Sequence, residues 1–286
     1  MTPLVRQALV KADEIRRKFG LNMFQPINVF DVCIDLEITV RSIDANMEGM
    51  YISQNDGKCP NILLSSLRPL PRRVYTCAHE LGHHLFNHGS KMDALTEYNP
   101  GAATYDADEF LVDAFAGALL MPVAGIQAEF AKRNWNINTA TPIQFYTVAS
   151  VFGTGYQTLI THCKVNKLIK EATGNALSKV TPAKILESII GPNTINSYFK
   201  IIDGKTELPG IDMEVSNLLV IPPTIHIDGD HLQKYKDMPT GSVYIAKKPG
   251  IVRAGTTDNN SNYFIRIQNS GYVGLAEYRH LENDEL

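Results

Sequence analysis

The stretch Arg72-Arg-Val-Tyr-Thr-Cys-Ala-His-Glu-Leu-Gly-His-His-Leu85 contains an HExxH motif that begins at His79 and ends at His83. On a helix, residues four apart share one face, so the two imidazoles can converge on one metal ion. Glu80, one residue further on, can then reach a water molecule bound to that ion. Apolar residues recur at helical spacing along the same stretch and would bury one side of it. The motif is therefore predicted to lie on a core helix, from about Pro71 to Asn87.

A second predicted helix, from about Asp106 to Met121, carries two carboxylates four residues apart, Glu109 and Asp113. This spacing lets Glu109 bind the metal while Asp113 accepts a hydrogen bond from the outer nitrogen of a ligand histidine. The competing metzincin pattern requires glycine at position 86 and histidine at 89, where this sequence has Phe86 and Gly89. The sequence therefore predicts one metal ion held by two histidines and one glutamate. Zinc is the expected ion, with another divalent ion such as Mn²⁺ as the alternative.

Other side chains near the motif have less specific roles. His84 and His88 form a second pair four residues apart, but no glutamate follows the first of them as Glu80 follows His79. They are interpreted as residues that support the ligands, face the substrate or are exposed. His84, His88, Tyr105 and Arg73 are all candidates for contacts to the substrate or to the oxyanion, and the sequence does not rank them.

The composition is that of a folded, water-soluble protein. The chain has 286 residues, 44% of them hydrophobic, and a formal net charge of −3. The N-terminus shows no apolar run behind a basic stretch, and the longest small or apolar run, 114–126, is interrupted by Pro122. The four cysteines are dispersed and form no CxxC pair. A cytoplasmic protein with reduced thiols and no membrane segment is expected.

The pattern of hydrophobic residues divides the chain into three predicted segments, 1–125, 126–210 and 211–286. The first segment opens with an amphipathic helix that ends near Gly20, and a short helix follows Pro26. Three strands are predicted before the two motif helices, at 38–42, 49–53 and 61–66. The second segment is predicted to be mostly helical, and the third consists of short β-branched and aromatic runs. The predicted fold class is α+β, with a core, a helical segment and a small β-rich C-terminal domain.

The same residues resemble a known family. Asp31, Glu48-Gly-Met-Tyr-Ile, the 72–85 stretch and Asp113-Ala-Phe-Ala-Gly-Ala-Leu-Leu-Met-Pro are similar to the ImmA/IrrE family of bacterial zinc metallopeptidases. The resemblance covers about residues 5–125 and implies a compact zincin-like α+β core whose small sheet has an edge strand for an extended substrate. It also implies zinc-ligand roles for the residues His79, His83 and Glu109 and a general-base role for Glu80. Two positions differ, since the family usually has Asn at 113 and often Glu at 111.

The resemblance also implies a substrate class. Similar proteins often cleave a helix-turn-helix repressor, in a stress response or during induction of a mobile element. Residues 141–165 are similar to the helix-turn-helix-like segment that follows the peptidase core in this family. The surrounding stretch 134–190 holds five Lys+Arg against two Asp+Glu, an excess that does not require contact with DNA. The sequence thus predicts a regulatory zinc endopeptidase with a protein substrate. The alternative is a non-catalytic metal-containing regulator that binds DNA or a protein partner through its helical and C-terminal segments.

For the chemistry, the metal is expected to polarise the scissile carbonyl while Glu80 takes a proton from the attacking water and returns it to the leaving amine. Glu80 is expected to be partly solvated. The strand at Ile62-Leu-Leu-Ser-Ser66 is interpreted as the sheet edge that pairs with the substrate backbone.

Overall fold

The structure is a computed structural model that describes residues 2–53, 59–93, 106–192, 195–207, 210–256 and 262–281. The helices are α1 (Pro3–Lys18), α2 (Val29–Asp35), α3 (Leu70–Leu85), α4 (Ala107–Leu120), α5 (Val123–Lys132), α6 (Pro142–Val151), α7 (Tyr156–Val165), α8 (Glu171–Ser178) and α9 (Pro182–Ile190). The strands are β1 (Thr39–Ile43), β2 (Gly49–Ile52), β3 (Asn61–Ser65), β4 (Lys91–Asp93), β5 (Phe199–Ile201), β6 (Gly210–Glu214), β7 (Leu218–Ile221), β8 (Ile225–Ile227), β9 (Leu232–Met238), β10 (Gly241–Ala246), β11 (Gly250–Thr256), β12 (Asn262–Gln268) and β13 (Gly274–Leu275). The fold is mixed α+β, as the sequence predicts.

The chain forms two compact units. One consists of residues 1–122 together with 271–278, and the other of residues 123–270 together with 279–286. The predicted division into three domains, with boundaries after residues 125 and 210, stays a prediction.

The first unit contains a five-stranded sheet in the order β13-β1-β3-β2-β4. β1 and β3 are parallel, and β2 pairs antiparallel with β3 on one side and with β4 on the other. Ile62 of β3 faces Val40 of β1 and Tyr51 of β2, so the backbone of β3 is bonded on both sides. The expectation that this strand is the free edge was therefore wrong. Alternating hydrophobicity identifies a strand but carries no information about how many neighbours it has.

Helix α1 is fixed to the rest of the first unit by a buried arginine. Thr2 caps its N-terminus, and Gly20 follows its C-terminus with a φ of +67°, as predicted. The guanidinium of Arg16 donates to the carbonyl of Leu119 in α4 at 2.5 Å and to the carbonyl of Asn22 at 2.8 Å. Burial lowers the pKa of Arg16 to about 10. The first helix thereby holds the C-terminal end of α4 in place.

The second unit combines helices α5–α9 with two four-stranded sheets, in the orders β5-β7-β10-β9 and β6-β12-β11-β8. Aliphatic residues from both sheets share one core, which includes Ile211, Leu219 and Ile265. Strand β5 lies in the stretch that was predicted to be mostly helical. It is ordered by α6, because Tyr146 donates to the carbonyl of Phe199 at 2.8 Å and Ser150 accepts from the amide of Ile201 at 3.2 Å. Three residues are too few to show a strand period in the sequence.

The run Tyr272-Val-Gly-Leu-Ala, predicted as a strand of the C-terminal domain, contributes only Gly274 and Leu275 to a strand. These residues pair with Ser42 and Arg41 of β1, so the run extends the sheet of the first unit.

The stretch Ala107–Lys132 has the length and hydropathy of a membrane-crossing helix. However, 67% of its most apolar window is buried inside the protein. This is the environment of a core helix in a soluble protein, and the stretch is weak evidence for a membrane.

Candidate metal centre

The close approach of two helices positions the residues of the HExxH motif. Helix α3 buries Cys77, Ala78 and Leu81 completely, which fixes its orientation in the core. Helix α4 begins after Asp106, whose side chain accepts hydrogen bonds from the amides of the next first-turn residues, at 2.9 Å from Asp108 and 3.4 Å from Glu109. The first turn of α4 is therefore well defined, and it carries the third predicted ligand.

The potential ligand atoms of three side chains converge on one point, as the sequence predicts. His79 Nε2 lies 3.2 Å from His83 Nε2 and 3.1 Å from Glu109 Oε2, and His83 Nε2 lies 3.5 Å from Glu109 Oε1. Donors placed about 2.0–2.1 Å from a tetrahedral ion are separated from one another by about 3.3–3.4 Å. The triangle therefore has the size that a tetrahedral metal ion requires. Among the described residues, this is the one group of three or more such side chains that could hold an ion.

The environment of the triangle suits a site with an open position. His83 is fully buried and His79 nearly so, whereas 37% of the Glu109 side chain is exposed. The Glu109 side chain is therefore the part of the triangle that solvent reaches. Imidazole and carboxylate donors suit zinc and other divalent first-row ions.

The outer nitrogen of His79 is held by a carboxylate. His79 Nδ1 lies 2.9 Å from Asp113 Oδ1, the arrangement expected from their spacing. Tyr75, one turn before His79, donates to the Asp113 backbone carbonyl at 3.3 Å. Burial raises the pKa of Tyr75, and the neighbouring Asp113 carboxylate raises it further, so the hydroxyl stays protonated. The contact of Tyr75 with Asp113 was missed, although a tyrosine four residues before a ligand lies on the same helical face.

The outer nitrogen of His83 faces a second histidine. His83 Nδ1 lies 3.1 Å from His88 Nδ1, and His88 Nε2 lies 3.5 Å from Asp108 Oδ1. His88 was a candidate for a contact to the substrate or oxyanion, and the structure places it beside a ligand histidine. The contact of Asp108 with His88 could not be predicted from the sequence, because it depends on where the chain turns after α3.

Glu80 is fully buried, which contradicts the expected partial solvation. Strand β2 crosses directly over it at Gly49, where an added Cβ would lie 2.5 Å from Thr76 Cγ2 and 2.8 Å from Glu80 Oε1. Only glycine permits this approach of the strand to the helix. The close packing of β2 on Glu80 therefore explains why the Glu48-Gly-Met-Tyr-Ile stretch has glycine at position 49.

The remaining candidates differ in their surroundings. The Tyr51 hydroxyl lies 2.8 Å from His84 Nδ1, and burial lowers the pKa of His84. Arg73 is buried in the helix before the motif. Tyr105 lies outside the described residues. The contact between Tyr51 and His84 joins β2 to α3 and had no signal in the sequence.

A mixed α+β fold with two histidines and a glutamate arranged around a common point has the architecture of a metallopeptidase. Residues 33–163 match the family model described as the IrrE N-terminal-like domain, Peptidase_M78. This match confirms the resemblance to the ImmA/IrrE family that the motifs show. A comparison with curated proteins finds no match.

Proposed function

We propose that the protein is a zinc-dependent endopeptidase with His79, His83 and Glu109 as the metal ligands. The observation that carries the proposal is the triangle of ligand atoms, with separations of 3.1, 3.2 and 3.5 Å, in a domain of a peptidase family. Zinc is favoured over Mn²⁺ because two imidazoles and one carboxylate in a four-coordinate arrangement form a common catalytic zinc site.

When bound, the ion would polarise the scissile carbonyl and lower the pKa of a coordinated water toward neutrality. Glu80 is the proposed general base, which takes the proton of the attacking water and passes it to the leaving amine. Gly49 lies against its side chain and restricts where the carboxylate can point. Asp113 holds the ring of His79 and keeps its Nε2 available to the metal.

The substrate is proposed to bind as an extended strand along β4. This strand lies at the end of the sheet, next to β2, and β2 is the strand that covers Glu80. An extended peptide added at this edge would lie beyond β4, two strand spacings or about 10 Å from β2. β4 takes the substrate-binding role first expected of β3, because the backbone of β3 is bonded on both sides.

The substrate is proposed to be a helix-turn-helix repressor, and the protein a regulatory protease of a stress or mobile-element response. Support comes from the family and from α6 and α7, which are joined by four residues as in a helix-turn-helix-like hairpin. We infer that this hairpin recruits the substrate, since direct DNA binding is not required by its small positive excess.

We infer a reducing compartment, the cytoplasm. Support comes from the thiols of Cys33 and Cys77, which lie buried with their sulfurs 3.8 Å apart. A disulfide would bring the sulfurs to about 2.05 Å.

One observation favours the non-catalytic alternative. Glu80 has no exposed surface, whereas a base must reach water. Catalytic contacts often form only in the complex with substrate, so a base that is buried in the free protein is compatible with the proposed mechanism.

The experiment compares the wild type with Glu80→Gln and with Glu187→Gln, a control at an exposed glutamate of α9. Metal content is measured first, and then cleavage of a repressor encoded next to the gene or, failing that, of an unstructured protein. Cleavage should fall by about 10² to 10⁴ in Glu80→Gln at unchanged zinc content, and stay at the wild-type rate in the control. Equal cleavage by wild type and Glu80→Gln would disprove the role of Glu80. A zinc-loaded wild type that cuts no repressor and no unstructured protein would favour the non-catalytic regulator.

A further inference from the structure

We propose that His88 and Asp108 are positioning residues that fix the ring of His83 from behind the metal centre. This inference rests on the proposed metal function and deepens it. Asp113 does the same for His79, so each ligand histidine would have a partner of its own.

The contacts form a continuous path away from the centre. His83 Nε2 points into the ligand triangle, and His83 Nδ1 lies 3.1 Å from His88 Nδ1. His88 Nε2 in turn lies 3.5 Å from a carboxylate oxygen of Asp108. Both nitrogens of His88 therefore face residues of the protein, which leaves neither of them directed at a substrate.

Metal binding fixes the direction of the hydrogen bonds. His83 can bind an ion only through an unprotonated Nε2, so its proton must be on Nδ1. Nδ1 then donates to His88 Nδ1, and His88 carries its proton on Nε2, directed at Asp108. The opposite arrangement would leave the proton on His83 Nε2 and exclude the ion. The Asp108 carboxylate can only accept a proton from His88 Nε2, so it favours the arrangement in which His83 Nε2 is free to bind metal.

The backbone after α3 is folded so that His88 returns to His83. The amide of His88 donates to the carbonyl of His83 at 3.1 Å, and the amide of Asn87 donates to the carbonyl of His84 at 3.1 Å. These are the two hydrogen bonds of a Schellman motif, and Asn87 has the left-handed φ of +58° that the motif requires. Gly89 continues the reversal with a φ of +75°.

The ring of His88 is also held by packing. It stacks on Phe86 with centroids 5.9 Å apart and planes inclined by 24°, and its side chain is only 10% exposed. The helix end, the stacking and the two polar contacts together place His88 in one orientation. A histidine with no role at the metal centre would not need to be held in one orientation by stacking and by polar contacts on both ring nitrogens.

The experiment measures zinc affinity by competition with a chelator, so it does not depend on peptidase activity. His88→Phe keeps the ring and its stacking but has no acceptor for His83. His88→Asn places an amide oxygen close to the position of Nδ1 and can still accept that hydrogen bond. Asp108→Ala removes the outer end of the path at a half-exposed position, so its effect on folding should be small. His226→Phe, at an exposed histidine of the second unit, is the control.

We expect His88→Phe to weaken zinc binding by about 10- to 100-fold, the usual cost of losing such a partner. His88→Asn should retain most of the affinity, Asp108→Ala should show a smaller loss than His88→Phe, and the control should match the wild type. Thermal unfolding of the metal-free proteins shows whether each variant folds. If His88→Phe does not fold, Asp108→Ala decides, and wild-type affinity in that variant overturns the proposal.

Several outcomes would contradict the inference. Wild-type affinity in a folded His88→Phe would disprove the positioning role and leave the metal centre intact. Equal losses in His88→Phe and His88→Asn would show that the hydrogen bond to His83 is not the cause. If the wild type itself fails to bind zinc, the metal centre and the positioning role are both wrong.

Discussion

Gly82 of α3 lies so close to Val112 of α4 that a Cβ added at residue 82 would stand 2.9 Å from the Val112 Cβ. The same added atom would lie 3.1 Å from the ring of Phe115. This approach sets the distance between the helix that carries the two histidines and the helix that carries Glu109. The glycine inside the HExxH motif therefore contributes to the geometry of the ligand triangle.

Gly82→Ala should separate the two helices and weaken the metal centre. Overpacking of a rigid contact costs about 1–3 kcal/mol of unfolding free energy, and any shift of α4 moves Glu109 away from the histidines. Both the thermal midpoint of the metal-free protein and the zinc affinity should fall. The double variant Gly82→Ala, Val112→Gly removes the opposing Cβ and its methyl groups and should recover part of the affinity. An unchanged affinity in the single variant would show that the helix contact does not set the site.

Asp113 offers a test of the partner of His79. Asp113→Asn keeps an oxygen that can accept from His79 Nδ1, so zinc affinity should change little, consistent with the Asn usual at this position in similar proteins. Asp113→Ala removes the acceptor and should weaken zinc binding by about 10- to 100-fold. The measurement is again chelator competition with zinc. Equal affinities of Asp113→Ala and the wild type would show that the 2.9 Å contact has no role in metal binding.

The parts of the centre that the sequence predicts are those determined by spacing within a helix. His79 and His83 share one face of α3, and Glu109 and Asp113 share one face of α4, because residues four apart always do so. The contact of His88 with His83 could not be predicted, since it depends on the left-handed Asn87 and on the turn after α3. The pairing of Leu275 with Arg41 depends on a return of the chain over more than two hundred residues. Neither contact leaves a periodic signal.

The second unit contains a buried charge cluster around Asp212 of β6. Arg266 donates from Nε to Asp212 Oδ1 at 2.6 Å, and Arg279 approaches Oδ2 at 3.6 Å. Burial alone would raise the pKa of Asp212, but Arg279 and Arg266 outweigh it and lower the value to about 2. His280 Nε2 lies 3.6 Å from the same carboxylate, yet burial and the charge of Arg279 lower its pKa to about 4.

The depressed pKa of His280 predicts a loss of stability in mild acid. In the unfolded chain this histidine takes up a proton near pH 6.5, whereas in the folded protein it does so only near pH 4. Protons therefore bind preferentially to the unfolded state between these values, and the free energy of unfolding falls as the pH falls from 6.5 to 4. The difference between the His280 pKa in the unfolded and folded states corresponds to about 3 kcal/mol of unfolding free energy. Asp212 adds a further loss of stability only at lower pH, between the ordinary pKa of an aspartate and about 2.

The variant His280→Gln has no titrating group at this position. Its unfolding free energy, measured with urea between pH 6.5 and 4, should therefore depend less steeply on pH than that of the wild type. His226→Gln, at an exposed histidine of β8, should keep the wild-type slope. If His280→Gln and the wild type lose stability in parallel between pH 6.5 and 4, His280 is not the group responsible.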